Sequence, residues 1–309
     1  MAAGLKHIDP AWAWSPFEPD KNRPWNIRLA AHLYRRAGFA ANSHELEEAV
    51  RKTPAEVVRQ LTNPKKDEAA EQDLDDLGKA ILARRSPQSL SAWWLYRMLH
   101  TQDQLLEKTT LFWHGHFATS AAKVDDAKAM MDQHELLRRN AMGDFKKMVH
   151  AISRDPAMLI YLDSTENKKT QPNENYAREL MELFCLGLGN YTEKDIQEIA
   201  RCFTGWEVRR GKFVFNKYQH DKGEKAFLGR RGRFGGEDAI RIVVAQDAAP
   251  RFIVEKLIRY FVFDEPRPPA ALIEPQAPDQ VWLRARALRQ RLTEELGRLC
   301  PRQAHPPAR

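Results

Sequence analysis

The sequence predicts a mainly α-helical fold, a multi-helix orthogonal bundle carrying one small β-hairpin. Three observations predict it. Capping residues recur ahead of apolar positions spaced three and four apart, glycine or proline follows several of those runs, and apolar–polar alternation is clear in one place only.

In chain order, Gly38 closes the first helix, and Asn42 with Glu45 starts the next, ahead of Leu46 and Val50. Thr53-Pro54-Ala55-Glu56 combines a hydroxyl cap, a first-turn proline and a reciprocal glutamate before Val57, Val58 and Leu61, and Asn63-Pro64 ends that helix. Residues 64–86 are charge-rich and only partly periodic, so they read as an exposed linker with a short helix. Leu105, Thr109 and Phe112 form a stripe reaching His116, and Asp155-Pro156 starts a helix through Met158, Leu159 and Leu162.

The segment "NENYARELMELFCLGLGNYTEKDIQEIARCFTGW" is the most informative. On a helical wheel Leu180, Leu183 and Phe184 gather near Tyr176, while Met181 and Cys185 fall nearly opposite, the pattern of a helix surrounded by protein. Gly187 and Gly189 stop it, Thr192 caps the next helix, and Ile196, Ile199, Ala200 and Phe203 follow. The alternation lies in "GWEVRRGKFVFNKY", a hairpin near 206–216 turning at Gly211. These readings divide the chain into an extended arm (1–27), a helical domain (28–264) and a tail (265–309) rich in proline and arginine.

With 309 residues, 43 % of them hydrophobic, the chain can bury one large core or two modest ones. No stretch approaches the roughly 18 apolar residues of a membrane-spanning helix, and the first 25 residues carry no secretory signal, so a cytoplasmic location is expected. Three scattered cysteines, Cys185, Cys202 and Cys300, fit neither a disulfide framework nor a thiolate zinc site. The net charge of +7 sits between Arg209 and Arg233, where nine cations face Asp221 and Glu224.

Two clusters carry chemistry. "LFWHGHFATS" sets His114 and His116 around Gly115. If the helix continues through Gly115 the two rings point about 200° apart and cannot share an ion, whereas an extended chain lets them chelate. The wheel places Glu179 inside the apolar sector and Glu182 at its edge, so Glu179 must be paired, protonated or bound to a cation. His220 and Asp221, beyond the hairpin, are further candidate partners.

"FWHGHFATS", "DPAMLIYLDS", the "NENYARELMELF…" segment and "HDKGEKAFLGRRGRFGGED", in that order, resemble the bacterial family called domain of unknown function 1800, as does the opening "AAHLYRRAGF". The resemblance covers roughly residues 28–264 and implies a largely helical protein without an assigned reaction. It also implies relatives that look exported and are often encoded beside a sulfatase-like protein, a candidate protein partner. His114, His116, Asn173, Glu174, Asn175, Arg178 and Glu179 match the family's hallmark positions. The sequence departs from the family in lacking an export signal and its closing helices after about Phe263.

Three functions remain open at this level. One is metal-assisted hydrolysis: His114 and His116, with His220 in reach, hold a divalent ion, Glu179 completes the shell, and Glu182 or Asp221 acts as base. The second is a non-catalytic module engaging a protein partner or anionic polymer through residues 209–233, nucleic acid being disfavoured for want of a binding motif. The third is a scaffold whose polar residues knit the core.

Overall fold

The computed structural model describes residues 17–65, 67–83 and 86–262, and in them the protein is mainly α-helical. Of the expected arm, residues 17–26 are described and non-helical, with Phe17 buried against Leu29; the tail 265–309 lies outside the described residues. No helix among the described residues is long and apolar enough to cross a membrane.

The helix starts follow the caps. Helix α1 (Ile27–Ala37) ends at Gly38, α2 (Ser43–Val50) begins with the reciprocal Asn42–Glu45 bonds, and α3 (Pro54–Thr62) begins with those of Thr53 and Glu56. Each box satisfies two amides that the first turn leaves without partners.

The expected linker is corrected. Its centre is a 15-residue helix, α4 (Glu68–Leu82), capped by Asp67 and packed on α5 (Pro87–His100). Glu71 and Asp75, one turn apart on α4, reach the guanidinium of Arg97 on α5, each at 2.6 Å. Arg97 is 1 % exposed and also meets Glu107 of α6 (Gln104–His116). Arg138 of α8 (Ala127–Asn140) joins the cluster through Glu71 and Glu107, and the four-residue α7 (Ala121–Val124) precedes α8. Glu71, which broke the apolar periodicity of α4, is thus half-buried against arginines, and Asp75 reaches Arg97 from the rim.

Gly78 lets α4 and α5 approach. A Cβ there would sit 2.8 Å from the ring of Trp93, whose Nε1 is anchored by donating to the Leu74 carbonyl. Gly78→Ala is therefore expected to destabilise the fold by about 1–3 kcal/mol despite its better helix propensity, read as a lower urea midpoint.

The main core gathers α9 (Phe145–Ser153), α10 (Pro156–Tyr161), α11 (Asn175–Glu179), α12 (Glu193–Cys202), α13 (Gly236–Val244) and α14 (Ala248–Phe261) around the end of α6. Helix α11 does not stay α-helical. Over Leu180–Cys185 it widens into a π-helix, closed by the Leu186 amide on the Met181 carbonyl. Wider i→i+5 turns shift every later residue on the wheel. Leu183, expected on the apolar face, is consequently 47 % exposed, while Met181 and Cys185 are buried.

Strands β1 (Trp206–Arg209) and β2 (Lys212–Phe215) form the expected hairpin, and β3 (Lys225–Phe227) with β4 (Arg230–Gly232) adds a second. Both turns are two residues long with positive φ at each, Arg210-Gly211 and Leu228-Gly229, the twist-matched form for tight hairpins. Trp206 seats the first hairpin on the core, edge-on to Phe203 and Phe213.

Candidate functional site

Helix α6 runs unbroken through Gly115 to His116. Phe112, Trp113, His116 and Phe117 around Gly115 are all buried, and packing on both sides of the turn keeps the glycine helical. The two imidazoles therefore leave opposite faces of one helix.

His116 faces the π-helix. Its Nε2 lies 3.0 Å from the Phe184 carbonyl, which can only accept, so the proton is on Nε2 and Nδ1 carries the lone pair. Lys256 of α14 donates to that Nδ1 at 3.3 Å and to the Leu183 carbonyl at 2.9 Å, with its ammonium 4.3 Å from the Phe252 ring centroid. Carbonyls at a helix end lack in-helix partners, and here an imidazole and an ammonium supply them. Burial, then Lys256, push the His116 pKa down to about 3 against the pull of the Phe184 bond, and burial lowers Lys256 to about 8. Outside this joint lies an open cleft of about 410 Å³ lined by Leu111, Phe112, His116, Lys256, Arg259 and Tyr260.

His114 faces the other way, into the seam between α5 and α8. Its Nε2 is 3.2 Å from Nδ1 of His134, and the Trp94 ring lies over it with centroids 4.4 Å apart. Trp93 packs edge-on to His134. The four rings, with Met130 and Met131, line a cavity of about 120 Å³. Burial pushes the His114 pKa down to about 4, and burial, then His114 and the two arginines, hold His134 well below its ordinary value. Nε2 of His134 is buried without a hydrogen-bond partner among the described residues.

The other expected residues lie elsewhere. Glu179 is half-buried and makes no hydrogen bond or ion pair among the described residues; burial, then Glu182, raise its pKa against Arg178. Glu182 accepts from the Tyr191 hydroxyl at 2.9 Å. Glu174 and Glu193 clasp Arg178, while Asn173 binds the Asp163 carbonyl and accepts from the Asn175 amide. His220 is bonded to the Thr204 carbonyl. Burial alone would raise Asp221, but Arg201 and the Gly223 amide outweigh it and hold the carboxyl below its usual range.

This placement does not bring the expected ligand set together. His114 and His116 face apart, and no group of three or more His, Cys, Asp and Glu side chains among the described residues is placed to hold one ion. His134, absent from the sequence reading, had a signal: it continues the α8 stripe of Ala127 and Met131 at i+4 and i+7, which marks an inward position. Lys256 had none. In the basic segment, Arg209 pairs with Glu207 and Arg231 with Glu224, while Lys225 is buried on the Asp221 and Gly223 carbonyls. Of its aromatics Phe213 and Phe227 pack inward, and Phe215 and Tyr218 are exposed.

No curated protein and no solved structure matches the chain. One family does, described as Protein of unknown function (DUF1800), over residues 32–291. That span contains the His114–His116 turn, the π-helix joint and both hairpins, and it runs past Phe263 into the Pro- and Arg-rich stretch. On that match the chain belongs to the DUF1800 family.

Proposed function

We propose that the protein is a non-catalytic helical binding module that receives a small organic anion in the cleft over His116. One observation carries this reading: the cleft lining contains two cations, Lys256 and Arg259, and no carboxylate. The two cations also disfavour each other, since Arg259 helps to lower the Lys256 pKa after burial. An anion between them relieves that repulsion and takes charge-assisted hydrogen bonds in a partly desolvated site. Leu111, Phe112 and Tyr260 offer apolar walls for the body of such a ligand. The hydrolytic reading loses its basis, because its two imidazoles serve different neighbourhoods and its carboxylates are not brought to either.

Isothermal titration with benzoate and with inorganic phosphate tests the proposal. Binding is expected with benzoate favoured, and Arg259→Gln is expected to weaken it about tenfold or more. Affinity is expected to fall as the pH rises through about 8, where Lys256 loses its proton. No heat of binding, or an affinity that Arg259→Gln leaves unchanged, overturns the reading.

A further inference from the structure

The His114 cavity is chemically unlike the cleft. Its lining is aromatic and aliphatic apart from Ser91 and a pair of imidazoles. No carboxylate lines it, and two thioethers, Met130 and Met131, do. Two imidazole nitrogens bound to one metal at about 2.0–2.1 Å each stand roughly 3.3 Å apart at a tetrahedral angle. His114 Nε2 and His134 Nδ1 stand 3.2 Å apart.

We propose that His114 and His134, with the sulfur of Met130 or Met131, form a site for a soft monovalent metal ion, copper(I) or its analogue silver(I). Imidazole and thioether together select soft ions, and the cavity offers a hard divalent ion no carboxylate.

The arginines of the neighbouring cluster disfavour a positive charge on His134, and the carboxylates bound to them offset that only in part. The neighbouring cluster sets Arg97 and Arg138 against Glu71, Asp75 and Glu107, one negative charge in excess. Trp94 stands between the two: its Nε1 donates to Glu107 at 3.2 Å, and its ring lies over His114. An indole face is itself a favourable neighbour for a cation. One proton is shared between the facing nitrogens, and Nε2 of His134 stays buried and unpartnered whichever ring holds it. The His134 ring is thus held on one side only, so its adjustment onto an ion breaks no other hydrogen bond.

The test uses the full chain carrying Cys300→Ser, so that this thiol does not compete, titrated with silver(I) and followed by tryptophan fluorescence. One equivalent is expected to quench the emission and to resist displacement by zinc(II) at about a hundredfold excess. The double variant Met130→Leu and Met131→Leu preserves apolar bulk. It is expected to keep its circular dichroism while binding silver(I) about tenfold or more weakly, and His134→Gln should lose the site. Full affinity in the folded double-leucine variant, equal displacement by zinc(II), or no binding to the parent overturns the proposal.

Discussion

Bringing the protein from pH 7 to about 4.5 is expected to remove roughly 5 kcal/mol of stability, enough to unfold many domains. His114, His116 and His134 are buried neutral, with pKa values below the unfolded value of 6.5. For such groups the stabilising contribution is complete above 6.5 and is lost as the pH falls toward the folded value, because only the unfolded chain takes up the protons. Each imidazole then accounts for about 2–3 kcal/mol at pH 4.5. Asp155 acts in the opposite direction. Burial raises its carboxyl to about 6, so its contribution is complete below the unfolded value of 3.8 and is lost as the pH rises through 6. At pH 4.5 it returns about 2 kcal/mol. Urea midpoints across this range provide the check: a steep fall beginning near pH 6.5 is expected, and a flat profile down to pH 5 contradicts the burial of the three rings.

The second large effect belongs to Glu107. It is fully buried and accepts from Nε of Arg97, from Arg138 and from the Trp94 indole. Glu107→Gln leaves two guanidinium groups facing an amide in a site that water does not reach, a loss of about 3–5 kcal/mol. Asp75→Asn provides the contrast. Asp75 binds the same Arg97 but is 51 % exposed, and its removal is expected to change stability by less than about 1 kcal/mol. Chemical denaturation of both variants separates a buried cluster, where the two differ severalfold, from a surface network, where they agree.

Helix starts were legible because one capping side chain decides each of them; Asn42, Thr53 and Thr192 act as their spacing to Glu45, Glu56 and Asp195 indicates. Helix α4 was not, because the face it turns to its neighbours carries Glu71, with Asp75 at its rim, and an ion cluster there erases the apolar periodicity that marks a packed helix. The π-helix escaped for a geometric reason: a wheel drawn at the α-helical angle misplaces Leu183 once the turns widen. The site was legible by halves. The sequence stated that a continuous helix would part His114 from His116, yet their partners lie 20 residues away in His134 and 140 residues away in Lys256. Only tertiary packing brings those together.

Helix α6 divides the His114–His116 turn between two separate neighbourhoods, one at His134 and one at Lys256. Long-range proton–nitrogen correlation spectra of the imidazoles at pH 6.5, recorded before and after His114→Ala, test it most directly. A large change in the His134 nitrogen shifts is expected, while His116 stays neutral with its proton on Nε2. A His116 signal that moves as far as that of His134, or a His134 signal that does not move, contradicts it.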